Sequence, residues 1–380
     1  YDAIKFEKDF VSVASKDAVF ADPRDGKIKV FGFPLAVDTL AIYYNKDLYE
    51  DRVPSRGRPA STWEDFKDDV FKLTKADNSY ERFEVAGTAM GRSDNIARSM
   101  DILYLLMLQY KVKFYDDDLT KAQFSGQNAV TENGVAINPA TEALKLYTSF
   151  GLASQKNYSW NEYMVESNSP VKEMEAFARG KVATIFGYSY LYEQIRSEVE
   201  QLKSEKVSTI NFDSVRIAPV PQVNDPNKST EKRDAFANYF VETVSRNTEN
   251  PNAAWDFLAF ASNKDNAAYY NQKTHRPTAR RDLIEAQKQD SVYGVFAEQV
   301  GYAESLDILD WDIYKAIFDQ AISGVINKSL SVKDAVSKAQ DQINKLIPAE
   351  GILAKSALPA KAPAAKTTST AVSKTTDAKK

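Results

Sequence analysis

Few residues of this chain stand where they could bind or catalyse. Asp38 interrupts the apolar run Leu35 to Tyr44, which opens after Gly32 and Pro34 and predicts a strand buried on both faces. An ionised carboxylate buried without partners is costly, so Asp38 is either capped by backbone donors or faces a polar cleft where something binds. Gly187-Tyr188-Ser189-Tyr190 begins like a nucleophile elbow, but Leu191 stands where its closing glycine belongs, and the one histidine, His275, is the only imidazole base on offer. Asp116-Asp117-Asp118 lacks the alternating oxygens and closing glutamate of a calcium loop and reads as a solvated turn. The 53 Asp plus Glu always supply carboxylate pairs of the glycosidase kind, but the separation that matters is spatial.

What is missing narrows the chemistry further. With no Cys and a single His, thiolate sites, disulfides and nearly all zinc constellations drop out, leaving an all-oxygen site as the only metal option. Neither a phosphate-cradling Gly-Lys-Ser/Thr loop nor a three-glycine dinucleotide fingerprint is present, so no nucleotide cofactor is expected. A net charge of -4 argues against nucleic acid as a partner. There is no apolar run of about 18 residues and no leader-like start. Because the first residue is Tyr1 and not Met, the chain reads as a processed or expressed product or a fragment.

The elements that must position such residues follow from patterning. At 380 residues, two domains and hence a cleft are expected. Ile4, Phe6, Phe10 and Val11 give a short helical pattern, followed by a turn at 22–26. Thr62 and acidic first-turn residues predict a helix from Trp63 to Lys75. Further helices are expected over 95–110, 139–150, 171–179, 251–261 with Asn250 as cap, 312–324 and 331–346, and strands over 182–186, 215–220 and 235–244. From Ala354 to Lys380 the composition collapses to Ala, Lys, Thr, Ser and Pro, which predicts a disordered tail.

Several motifs then occur in a telling order. They are Gly32 to Leu48, Pro59 to Phe66, Gly87 to Gly91 with Asn95-Ile96, Phe177 to Ala183 leading to Gly187-Tyr188, Asn250 to Leu258, and the late Trp311 helix. In that order they resemble the bacterial extracellular solute-binding proteins of ABC importers, the maltose-binding-like group, as far as about Ile347. The resemblance implies an α/β, two-lobed periplasmic-binding-protein-like fold of type II. It implies a first-lobe remainder at 1–35, a hinge strand at 36–40, a second lobe at 41–236, a return to the first lobe at 237–302 and second-lobe helices at 303–353, with the tail at 354–380 outside the core. Members of the group open with a strand-helix-strand-helix unit and a secretion signal that have no counterpart here, so an incomplete first lobe is expected.

The resemblance also implies a site. Asp38 falls at a hinge position that offers a carboxylate to ligand hydroxyls, or else caps the hinge. Trp311 matches an aromatic platform for a sugar ring, whose C–H face suits an indole. Asp94 and Asn95 fall where a strand turns into a helix beside the cleft, and serve either ligand or cap. Trp160 with Asn161, and Tyr188 with Tyr190, fall on loops at the cleft edge. Trp63 and Trp255 are expected in the core and His275 at the surface.

The function so implied is capture of a sugar or oligosaccharide outside the cytoplasmic membrane and delivery to ABC permease subunits, by a non-catalytic, monomeric carrier without cofactor. Alternatives at this point are a carbohydrate hydrolase and a surface adhesin or sensor built on the same fold.

Overall fold

Ala41-Ile-Tyr-Tyr-Asn45 carries Ile42 and Tyr44 on one face and Tyr43 on the other, and all five of its side chains are buried. A computed structural model, which describes residues 1–22, 25–77, 82–130, 134–164, 172–228, 232–348 and 352, makes this strand the centre of a three-stranded antiparallel sheet. Thr184–Gly187 pairs on one edge, with Ile42 opposite Phe186, and Val215–Ala218 pairs on the other, with Ile42 opposite Ala218. The expected strand at 36–40 is thinner than anticipated. Residues 36 and 39 make single bridges to Thr278 and Ala237, so this segment passes between neighbours and the continuous ladder starts only at Ala41.

The helices follow their caps. Thr62 accepts the Asp65 amide, and Trp63, Phe66, Val70 and Leu73 form the buried stripe of helix Trp63–Leu73. Ser331 and Asp310 cap Val332–Asn344 and Trp311–Ile326 in the same manner, and Asn138 caps Pro139–Ser149. Helix Ser99–Gln109 buries residues on every side, as its apolar run Ile102 to Leu108 requires. It starts four residues later than patterning suggested, because the Asn95 side chain is engaged elsewhere. Residues 171–179 yield Lys172–Ala178, Val171 lying outside the described residues, and the 354–380 tail lies outside them too.

Three expectations need correcting. The 235–244 strand shrinks to Ala235–Phe236, paired in parallel with Ala303–Glu304, and beyond it Glu242 only bridges Phe33. Asn250 makes no side-chain cap, so helix Pro251–Ala261 starts on the fixed φ of its first-turn proline. That helix has no buried residue, and Trp255, expected in the core, is only half-buried. At the chain start, Phe6 and Phe10 stack in the core at 4.3 Å while Ile4 is 82% exposed, so the apolar pattern there overstates the buried face.

Candidate functional site

The segment 36–40 crosses the molecule beside the turn 188–190, and Asp38 ties them together. Its carboxylate accepts from the amides of Thr39 (3.0 Å) and Ser189 (3.1 Å) and from the Ser189 hydroxyl (2.6 Å). Burial pushes its pKa up to about 6, even though these donors and the nearby Arg276 charge favour ionisation. Of the two roles left open by the sequence, capping is the one made by contacts within the protein. What Asp38 fixes is the Tyr188-Ser189-Tyr190 turn, further held by Tyr43, which donates to the Tyr188 carbonyl (2.7 Å).

Around that turn lies a cluster that patterning missed. Arg98 sits over the rings of Tyr188 (5.3 Å) and Tyr190 (5.8 Å), themselves stacked at 6.1 Å, and donates to the Tyr190 hydroxyl. Tyr188 is buried and donates to Asp101, whose carboxyl is pushed up by burial and held back by Arg98, Tyr188 and Asn238. Asn238 in turn donates its amide to the Asp38 carbonyl (3.1 Å). The available signal was Arg98-x-x-Asp101: two opposite charges one helical turn apart at the mouth of an apolar helix. Arg98, Tyr190, Gln194 and Glu173 also line a side cavity of about 120 Å³. One Glu173 oxygen accepts the Ala97 amide (2.8 Å), while the other is buried without a hydrogen bond among the described residues, and burial raises the carboxyl's pKa.

Asp94, Asn95, Trp160 and Asn161 form a second network. Trp160 is fully buried and donates its indole N–H to Asn95 (2.8 Å), and the Asn95 amide donates to the Asn161 carbonyl (2.8 Å). Neither Asp94 nor Asn95 caps the following helix, whose N-cap position is Arg98. Asp94 is exposed and held by both nitrogens of an Arg92 fork (2.9 and 2.7 Å) that also reaches Glu162 (2.8 Å). Gly91 lets this loop pack closely, since at φ 101° it adopts a backbone disfavoured for other residues and a Cβ there would strike the Phe150–Gly151 backbone. The expected cleft-edge aromatic at 160 is therefore a pillar under the loop, with no open face for stacking.

Trp311 opens helix Trp311–Ile326. It is half-buried, nearly parallel to Phe236 (6.5 Å, 14°) and edge-on to Tyr104 (6.4 Å, 65°). His275 is exposed and stacks on Tyr293 at 4.9 Å, away from any serine pairing. Trp63 is in the core, bonded to Gln109 (2.6 Å). Among the described residues no group of three or more His, Asp or Glu is arranged to hold a metal ion. No helix among them is long and apolar enough to cross a membrane. The arrangement suits binding of a neutral polar molecule: rings and a guanidinium at a crossing point, with most carboxylates already satisfied inside the protein.

Comparison with known proteins agrees with this architecture. The family model described as bacterial extracellular solute-binding protein matches residues 2–268. The maltodextrin-binding protein MdxE of Bacillus subtilis is 25% identical over 328 residues, covering 83% of this chain and 68% of its own length. A putative binding protein of Brucella abortus is also 25% identical, over 64% of this chain, which spans only 49% of that relative. A cyclo/maltodextrin-binding protein solved with maltotetraose superposes with a TM-score of 0.64 at 17% identity, covering 90% of this chain and 76% of its own. The α/β core is thus the periplasmic-binding-protein fold, and the chain belongs to the bacterial extracellular solute-binding protein family, whose members bind solutes and do not transform them.

Proposed function

We propose that this protein captures a sugar or oligosaccharide at the crossing strands and delivers it to the membrane permease subunits of an ABC importer, acting as a monomer outside the cytoplasmic membrane. In this reading, segment 36–40 is a hinge between a lobe built from 41–236 and 303–353 and another built from 1–35 and 237–302, and hinge closure traps the solute. The observation that carries it is the pairing of Tyr190 with Arg98, both only partly buried, on the turn that Asp38 holds, with a second half-buried ring, Trp311, packed on Phe236. Sugars are bound by such sets: an aromatic face takes the apolar side of the ring, and fixed charged or amide groups take its hydroxyls. Tyr190, Trp311 and the exposed Asp94 are the direct contacts. Asp38, Asn95, Trp160, Asn161 and Tyr188 hold those contacts in place. The maltodextrin and maltotetraose named for two relatives favour a glucan among candidate sugars.

Calorimetric titration with maltotetraose, mannotriose and monosaccharides, beside a peptide and a polyamine, tests this. Saturable heat with a saccharide that is recovered intact, and loss of that heat in Trp311→Ala, are expected. Binding of the peptide or polyamine alone would overturn the sugar assignment, and cleavage of the glycan would overturn the carrier role.

A further inference from the structure

Neighbouring side chains of an extended segment point to opposite faces, and the crossing strand uses both. Asp38 faces the Tyr188–Tyr190 turn. Thr39, on the other face, accepts from Gln299 (3.1 Å), which also donates to the Leu40 carbonyl (3.0 Å) and accepts the Val220 amide (3.1 Å). Gln299 is fully buried and fastens helix Gly294–Val300 to the back of the crossing. The same helix presents Val295 and Glu298, which with Tyr302 form one wall of a cavity of about 440 Å³. The opposite wall is Tyr44, Arg58 and the strand around Ile217.

This cavity has the makings of an anion site with an apolar body. Two of its three guanidinium groups are neutralised, Arg56 by Asp69 and Arg233 by Glu298 (3.0 Å). Arg58 is exposed and forms no ion pair with any described residue. The Tyr302 hydroxyl is buried beside Arg233 without a well-formed hydrogen bond among the described residues, and Tyr44, Ile217 and Val295 supply apolar walls. A carboxylate matches a guanidinium fork in two parallel bonds, and the volume suits one small molecule.

We propose that this back cavity binds a small amphipathic carboxylate, its charge on Arg58 and its apolar body between Tyr44, Ile217 and Val295, and that occupancy tightens solute binding at the front. The coupling rests on the hinge reading given above; the site itself does not. Rotation about the crossing strands that narrows the Asp38 face widens the opposite face, so a molecule wedged there favours the closed form. Linkage then requires the solute to tighten the carboxylate by the same factor.

Indole-3-acetate is the probe, titrated by calorimetry against the whole chain, with the neutral indole-3-acetamide as control. Saturable binding of the acid, loss of about tenfold or more in Arg58→Gln, abolition in the cavity-filling Val295→Trp, and no change in Trp311→Ala are expected. Maltotetraose affinity should rise about fivefold or more with the acid saturating. No binding of the acid, equal binding of the amide, or sensitivity to Trp311→Ala instead of Arg58→Gln would overturn the site. Acid binding with unchanged maltotetraose affinity would overturn the coupling. Acid binding lost in Arg58→Gln while no saccharide binds would uphold the site and sink the sugar-carrier reading.

Discussion

Strand Ala41–Asn45 and helix Pro251–Ala261 are both apolar, yet the strand buries all five residues and the helix none of its eleven. The strand has a hydrogen-bonded neighbour on each edge and the aromatic layer of Trp63, Phe66 and Phe186 beside it. The helix touches the body through Trp255, edge-on to Phe33 at 6.3 Å, while Phe257 and Phe260 stay 64% and 61% exposed. Hydrophobicity alone therefore does not secure burial; a second layer has to lie over the apolar face. Stability should be concentrated where the layers are complete.

The largest test of that contrast is Trp160→Ala, which empties a fully enclosed site and leaves the Asn95 carbonyl without its donor. A loss of about 3–5 kcal/mol in urea unfolding is expected. A loss below about 1 kcal/mol would place Trp160 outside the packed half.

Asp38 probes the same half through pH. Its folded pKa, about 6, lies above the ordinary 3.8, so the folded state keeps its proton over a range in which the unfolded chain has released it. Stability then falls as pH rises between these two values and stays at the lower level above them. Asp38→Asn lacks this term, so wild-type stability minus variant stability should drop by about 3 kcal/mol between about pH 4 and pH 7. A constant difference across that range would show that burial does not raise the Asp38 pKa.

Trp311 is intermediate in burial, packed on Phe236. Trp311→Ala should weaken maltotetraose about tenfold, read by calorimetry, with the protein still folded by circular dichroism. Unchanged affinity with a lowered melting temperature would make it a packing residue. The smallest effect belongs to the open helix: Phe257→Ser with Phe260→Ser should shift unfolding by no more than about 0.5 kcal/mol while reducing binding of an apolar dye. A large destabilisation there would mean that the helix face is covered after all.

Helices were legible where a cap preceded a long apolar stripe, as at Thr62 and Ser331, because both signals are local. Strand lengths at 36–40 and 235–244 were not, because a ladder needs a partner and its extent depends on where that partner turns away. The site divides along the same line. Asp38 was conspicuous as a carboxylate in an apolar run, and Tyr190 and Trp311 stood at motif positions. The burial of Trp160 under the Asn95 loop, and the seating of Arg98 over two tyrosine rings, join residues some 65 to 92 positions apart.

The chain's own residues determined the starts of helices Trp63–Leu73 and Val332–Asn344, the lack of thiol chemistry, and the order of motifs that resembles a solute-binding family. Each of these is written in composition or in spacing over a few turns. Only the tertiary structure decided which aromatic residues are pillars and which keep an open edge, and that the crossing strand carries Asp38 toward one face and Thr39 toward another. Burial and the pairing of charges belong to neighbours brought together by folding, and no stretch of chain carries that information alone.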